Sequence, residues 1–212
     1  LQLAIYGSSE AVRSVGIEWP RFLERVPADR VAVYASSAMG QLDPMGAGGM
    51  LAHPLMGQYT SSRHCPFSLS QMPADFVNAY VVSSIGRTAG LIGACATFLY
   101  NLEKAVIDIQ TGTVDLALVG GAEAPILPEV LEGYRAMSAL SEDLDLLELD
   151  GLTEGEPDHR RAARPFAPNC GFVMGESAQY IVLAKDELAL ELGASIYASV
   201  PGVFIQADGG KR

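Results

Sequence analysis

The chain has 212 residues, 49% of them hydrophobic and 18% charged, with 14 basic against 25 acidic side chains and a formal net charge of −11. That is the length of one ordinary domain with enough apolar surface for a sizeable core, which excludes a disordered segment. The acidic balance argues against a nucleic-acid groove, because phosphate binding needs clustered Lys and Arg.

In chain order, apolar residues at Leu1, Ala4, Ile5, Ala11, Val12 and Val15 keep a helical spacing and predict a helix over 1–15. Residues 30–36 (RVAVYAS), rich in β-branched and small apolar side chains, predict a buried strand. A Gly-rich loop over 39–50 follows, then a helix over 73–84 with Pro73 in its first turn. A short apolar strand is predicted at 89–93. From 95 to 109 the spacing of Phe98, Leu99, Leu102, Val106 and Ile109 makes an amphipathic helix. Residues 114–119 (VDLALV) read as another buried strand, followed by a helix at 128–137. Past an acidic segment, long strands are predicted at 172–184 and 195–207, flanking a helix at 185–192. Alternating strands and helices indicate α/β layers on a largely parallel sheet, closed by the two late strands.

The charge is unevenly placed. Glu142, Asp143, Asp145, Glu148, Asp150, Glu154, Glu156 and Asp158 fall together with no base among them, leaving 17 acids against 14 bases elsewhere. With Gly151 and Gly155, the segment 141–158 reads as a solvated loop or insertion; it lacks the alternating Asp/Asn pattern of a calcium loop. The run Gly46-Ala47-Gly48-Gly49 has neither the Lys-Ser/Thr ending of a P-loop nor G-x-G-x-x-G spacing, so it reads as an ordinary loop. His53, His64 and His159 are scattered without ligand spacing, so neither a metal nor a cofactor is expected. Cys65, Cys95 and Cys170 include no CxxC pair and fit free thiols in a reducing compartment, with the cytoplasm as the default. The longest uncharged apolar-rich run, 88–102, has 15 residues, short of the roughly 20 that a spanning helix needs. No membrane span and no secretory leader are expected, and Leu1 in place of Met reads as a start inside a longer chain.

Cys95 stands out by its setting. In Gly93-Ala94-Cys95-Ala96-Thr97 a short apolar strand turns into a helix, so the sulfur lies near unpaired backbone N–H groups at the positive helix end. Such a setting favours a thiolate, the form that nucleophilic catalysis requires. The small neighbours Gly93, Ala94 and Ala96 permit a sharp turn and leave room for a substrate carbonyl. The same cysteine would also serve as a small buried hydrophobe, and this segment alone does not separate the two readings.

The surrounding motifs favour the nucleophile. Gly-Ala-Cys-Ala-Thr at 93–97, Asp-Leu-Ala-Leu-Val-Gly-Gly-Ala-Glu at 115–123, Ala-Leu-Ser at 139–141, Arg-Pro-Phe at 164–166 and Gly-Phe-Val-Met-Gly-Glu at 171–176 come in that order. In order and approximate spacing they resemble the β-ketoacyl-acyl carrier protein synthases, the condensing enzymes of fatty acid and polyketide synthesis. The resemblance runs from 30 to about 208 and includes RVAVYASSAMG at 30–40.

The resemblance implies an α/β fold of the thiolase-like kind, a layered α-β-α-β-α sandwich of which this chain carries largely the N-terminal half. It implies a homodimer formed partly through the strand around 88–93. Cys95 becomes the nucleophile of a decarboxylative Claisen condensation, in which a Cys-bound acyl group is joined to malonyl-acyl carrier protein. The Cys95 N–H and a second N–H would hold the oxyanion. The partners are acyl carrier protein and acyl and malonyl thioesters, with Arg63, Arg87 and Arg135 as candidates to meet the acidic carrier. Tyr134 stands where the family usually carries an aromatic, most often Phe; with Met137 and Thr97 it is a candidate for the acyl pocket, or else for the helix core. Gly120, Gly121 and Gly175 are expected to let backbones approach closely near the nucleophile turn.

Departures from the family pattern point to a divergent branch, such as an initiating synthase that takes a short acyl-CoA primer. Asn169-Cys170 replaces an Arg-Asp pair, the segment 165–171 is one residue short, and Glu176-Ser177-Ala178-Gln179 replaces a Gly-rich stretch. The family's two histidines lie in His-Gly-Thr-Gly-Thr and Asn-x-x-Phe-Gly motifs, which 1–212 does not contain, so the chain by itself is expected not to complete condensation. The alternatives are a non-catalytic ketosynthase-like partner or chain-length subunit, which generally lacks the nucleophile, and a thiolase-fold relative that condenses without decarboxylation.

Overall fold

The computed structural model describes residues 1–207, 209 and 210; Asp208, where the family resemblance fades, lies outside them. The chain divides into two compact units, Leu1–Glu123 with Ser177–Arg212, and Ala124–Glu176. The first carries helices α1 (Gln2–Ser14), α2 (Trp19–Arg25), α3 (Ala47–Leu55), α4 (His64–Phe67), α5 (Met72–Val77) and α6 (Thr97–Gln110). The second carries α7 (Pro128–Ala136) and α8 (Asp143–Leu149), and α9 (Asp186–Leu192) belongs to the first. The first unit is built on strands β1 (Val31–Ser36), β2 (Thr88–Ala89), β3 (Leu116–Glu123) and β4 (Ser177–Ala184), in the spatial order β2-β1-β3-β4. β2 and β3 run parallel to β1, and β4 runs antiparallel to β3. The α/β class and the largely parallel sheet match the sequence reading.

Side-chain alternation explains why all six residues of β1 are buried. Val31, Val33 and Ala35 pack with Ala4, Phe22, Ala74 and Val77 on the face covered by α1, α2 and α5. Ala32 and Tyr34 point the other way, into a cluster with Ala105, Val114, Ala117 and Val119, to which Phe98, Leu102 and Ile109 of α6 add their edges. The strand is apolar up to its last residue, Ser36, because helices cover both of its faces.

Where the chain meets this sheet at its amino-terminal edge, Asp115 ties three elements together. Arg30 Nη2 donates to its Oδ1 at 2.8 Å, Arg30 Nε donates to Oδ2, and Lys185 Nζ pairs with Oδ1. The Arg30 hydrogen bond, reinforced by Lys185 against the opposing effect of burial, holds the Asp115 carboxyl down at about 2. A depressed carboxylate contributes stability that is complete above its unfolded value, 3.8, and is lost as pH falls through about 2. Asp115→Asn is therefore expected to cost about 2 kcal/mol at pH 7 and much less at pH 2. Urea midpoints measured from pH 7 to pH 2 should fall more steeply for the parent than for the variant; parallel curves would contradict the assignment.

Several boundaries differ from the sequence reading. The Gly-rich segment already contains the start of α3, since Ala47, Met50, Leu51 and Ala52 tolerate a helix despite the glycines. The helix predicted over 73–84 is α5 continued by a π-helical turn, Asn78–Val82, which stops at Ser83 in the left-handed region (φ 59°). The strand predicted at 89–93 shrinks to the two residues of β2, and the late strand 172–184 starts only at Ser177. Residues 195–207 form no strand. They anchor through the Ser195 N–H on the Val15 carbonyl (2.8 Å) and the Tyr197 hydroxyl on the Ser14 carbonyl (3.0 Å). Tyr197 and Phe204 are exposed, and among the described residues no strand lies beside the segment to supply a ladder.

In the second unit the acidic segment is not a bare loop. Residues Asp143–Leu149 form α8, with Leu146 and Leu147 buried and Asp143 and Asp145 in the first turn, where the helix dipole favours them. Arg164 Nη2 grips Asp150 at 2.8 and 2.9 Å, and His159 Nε2 meets Asp143 at 3.0 Å.

Candidate functional site

Cys95 lies in a turn at the carboxyl end of the parallel strands, the edge where open α/β sheets present their ligand sites. It is exposed, in the middle of a single 3-10 turn, Ala94–Ala96, that feeds directly into α6. Ala94, just before it, has φ 48°, a left-handed conformation that a residue with a Cβ adopts only at a cost. A non-glycine held there next to a candidate nucleophile marks a turn over-determined by its surroundings. Gly93 is required for a different reason than turn sharpness: a Cβ there would lie 2.3 Å from the Tyr100 ring.

The hydrogen bonds that impose this turn come from buried polar side chains. Thr97 Oγ1 accepts from the Gly93 N–H at 3.0 Å and donates to the Ala94 carbonyl at 2.7 Å. Thr97 is buried with both functions of its hydroxyl engaged, so it organises the turn; the sequence reading as a pocket-lining residue does not describe its contacts. One helical turn on, Asn101 binds the Leu91 N–H, the Leu91 carbonyl and the Ser36 hydroxyl. Beside it, Glu123 at the end of β3 accepts from the Ser37 hydroxyl at 2.9 Å and from the Ala38 N–H, closing the loop that leaves β1. Ser36, Asn101 and Glu123 were not singled out by sequence. The available signal was a polar residue in a helical stripe that is otherwise buried: Thr97, Asn101, Ala105 and Asp108 all lie on one hidden face of α6.

The remaining predicted residues are distributed as follows. Gly120 and Gly121 pair with Ala35 and Ser36 of β1. The tight contact of Gly120 is with the Tyr180 ring of β4, while Gly121 lies close to the Ser36 carbonyl. A Cβ at Gly175 would meet nothing within 4 Å, so close approach does not explain it. In the second unit, Tyr134 packs edge-on against Phe172 with ring centroids 5.0 Å apart, and Met137 is exposed. That unit joins two of the quoted motifs. The Phe172 N–H donates to the Ala139 carbonyl at 2.9 Å and the Ser141 N–H to the Phe172 carbonyl at 3.0 Å. Arg63 is exposed, Arg87 stands 3.9 Å from Asp108, and Arg135 stands 3.5 Å from Glu142, with both side chains more than half exposed. Among the described residues no group of three or more His, Cys, Asp or Glu is placed to hold a metal ion, and no helix is long and apolar enough to cross a membrane.

A family model described as "Beta-ketoacyl synthase, N-terminal domain" matches residues 1–189. The chain is similar to the β-ketoacyl-[acyl-carrier-protein] synthase FabY of Pseudomonas aeruginosa, 47% identical over 212 residues, covering all of this chain and 33% of that protein. It is also similar to 3-oxoacyl-[acyl-carrier-protein] synthase 2 of Staphylococcus aureus, 29% identical over 211 residues, covering 98% of this chain and 47% of that one. Its fold superposes on the crystal structure of the noncanonical ketosynthase FabY from P. aeruginosa with a TM-score of 0.93 at 46% identity, covering 100% of this chain and 33% of the other. A β-ketoacyl synthase from Burkholderia phymatum STM815 gives 0.71 at 26% identity, over 91% of this chain and 43% of that one. The chain thus spans between a third and a half of the length of the relatives it matches. The thiolase-like α/β class expected from the motifs is the class of these structures.

Proposed function

The chain belongs to the β-ketoacyl synthase family, whose N-terminal domain it carries, and from this premise we propose that Cys95 is the thiol that receives the acyl group in a decarboxylative condensation. The observation that carries the reading is the exposed Cys95 on a left-handed turn at the head of a 14-residue helix. In the proposed sequence the Cys95 thiolate attacks the carbonyl carbon of an acyl thioester, the tetrahedral oxyanion collapses, and the carrier thiol leaves as it takes up a proton. A malonyl thioester then loses carbon dioxide, and the electron pair of the broken C–C bond becomes an enolate. Its α-carbon attacks the Cys95 thioester, forming the new C–C bond and returning the sulfur as thiolate.

The relatives are named as synthases acting on acyl carrier protein, which supports that protein as the partner. Arg63, Arg87 and Arg135 are the basic groups we assign to that contact, and Tyr134 and Met137 remain our candidates for the acyl pocket. The sheet order leaves β2 as an edge strand next to the turn, which suits a homodimer paired there. Three free cysteines suit a reducing, cytoplasmic setting.

The test is labelling with a thiol-reactive acyl mimic. Cys65 is exposed as well, so exposure alone predicts no preference. We expect Cys95 to react at least about tenfold faster than Cys65 or Cys170, because Cys95 precedes the 14-residue α6, whereas Cys65 opens only the four-residue α4, whose aligned peptide dipoles are fewer. Equal reaction of the three, or none at Cys95, would replace this reading with a non-catalytic partner subunit.

A further inference from the structure

The acyl-acceptor reading leaves one costly feature unaccounted for: a completely buried amide in the middle of a packing helix. Resting on that reading of Cys95, we propose that Asn101, acting with Ser36, is a positioning residue that clamps the 91–97 segment and so aims the Cys95 sulfur at the thioester carbonyl.

Asn101 and Ser36 both have 0% exposure. Buried polar groups persist only when their hydrogen bonds are made, and an apolar side chain would pack against Ala105 and Phe98 without that demand. Here every function is used. Asn101 Oδ1 accepts from the Leu91 N–H at 3.0 Å. Its two Nδ2 hydrogens are shared among the Ser36 hydroxyl oxygen at 2.9 Å, the Thr97 carbonyl at 2.9 Å and the Leu91 carbonyl at 3.1 Å. Ser36 completes the set by donating to the Leu91 carbonyl at 2.7 Å.

The consequence is geometric. Both polar groups of the Leu91 peptide are gripped by side chains in place of a neighbouring strand, so the chain leaves the sheet after Ala89 although 89–93 is apolar enough to continue it. Thr97 fixes the other end through Gly93 and Ala94. Between the two clamps lie only Ile92 to Ala96, with Ala94 held at φ 48° and Cys95 beside it. The sulfur is thereby tied to the carboxyl end of β1 and to the first turn of α6. A reacting atom misplaced by about 1 Å can cost on the order of 100-fold in rate, so a clamp of this kind acts on the rate of bond formation without touching substrate.

The experiment uses the acetyl thioester of N-acetylcysteamine as probe, with intact-mass and peptide mapping of the adduct, on the parent and on Asn101→Ala, Asn101→Asp and Ser36→Ala. The expected result is a fall of about 10- to 100-fold in the limiting rate of Cys95 acylation for the Asn101 variants. The half-saturating thioester concentration should stay within about twofold, a rate-only loss that a merely structural residue would not give. Iodoacetamide labelling of Cys65 and Cys170 should be unchanged. Variants that melt cooperatively and acylate Cys95 within about twofold of the parent rate overturn the proposal. Should Asn101→Ala fail to fold, Ser36→Ala decides: a reduction of about threefold or more supports the clamp, and an unchanged rate overturns it. A parent protein that forms no adduct on Cys95 overturns the acyl-acceptor reading itself, and this proposal with it.

Discussion

Gly120→Ala is expected to lower the unfolding free energy by about 2–3 kcal/mol, read as an earlier urea midpoint at unchanged slope. Gly120 sits inside β3, directly across from Tyr180 of β4 and from Ala35 of β1. A Cβ there would fall 2.2, 2.4 and 2.5 Å from three ring carbons of Tyr180, where carbon contacts want about 3.5–4.0 Å. The ring is 9% exposed and belongs to the core cluster beneath α1. Burial first, and then the nearby Glu123, push its phenol up, so the group is seated as an apolar body that stays protonated. The ring also lies against Gly7 of α1, where a Cβ would stand 3.2 Å from it, so swinging clear disturbs the sheet-to-α1 contact. Tyr180→Ala is destabilising by itself, yet placed in the Gly120→Ala background it should restore part of the loss, giving a coupling of about 1–3 kcal/mol in a double-mutant cycle. Strict additivity would mean that the ring yields freely and that the glycine is incidental.

The second large effect is expected at Asp108, which α6 buries under the opposite face of the sheet. Its side chain is 6% exposed. Lys104 Nζ donates to its two carboxylate oxygens at 2.6 and 2.7 Å, the Tyr34 hydroxyl donates to Oδ2, and Arg87 stands 3.9 Å away. Burial pushes this carboxyl up, but the hydrogen bonds from Lys104 and Tyr34 outweigh it and hold the group below the usual carboxylate range. Replacing a buried ion pair with apolar side chains is often harmless, whereas removing one member leaves the others unpaired. Asp108→Ala strands the Tyr34 hydroxyl inside the core and should cost about 3–5 kcal/mol. Tyr34→Phe in that background should recover part of it, because the stranded hydroxyl is then gone. Thermal melts of the two single variants and the double variant check this; a double variant no more stable than Asp108→Ala would show that the hydroxyl finds another partner.

Elements whose burial pattern is periodic were legible in the sequence. α1 and α6 emerge from apolar spacing, and β1 and most of β3 from short runs of β-branched and small apolar residues that suit a strand buried on both faces. What failed was any element whose fate depends on a partner elsewhere. The segment 195–207 has a strand's composition but no strand beside it among the described residues, and the chain leaves the sheet after Ala89 because Asn101, twelve residues along, takes over the polar groups of Leu91. At 141–158 the eight acids dominate the composition, yet Leu146 and Leu147 among them let α8 bury a side. At the candidate site the same division holds. Cys95 and its small neighbours were visible as a motif, but the polar clamp beneath them was not, since Ser36 and Asn101 sit within apolar stretches and acquire a role only when β1 and α6 are brought together.

The proposed role of Cys95 as the acyl carrier is tested most directly by the site of the covalent adduct after incubation with acyl-acyl carrier protein, mapped by peptide mass spectrometry. The expected result is one acyl group per chain on the Cys95 sulfur, removable by neutral hydroxylamine as a thioester should be, and absent in Cys95→Ala. An adduct on Cys65 or Cys170 that survives Cys95→Ala, or a protein that stays unmodified while the carrier remains fully acylated, would contradict it.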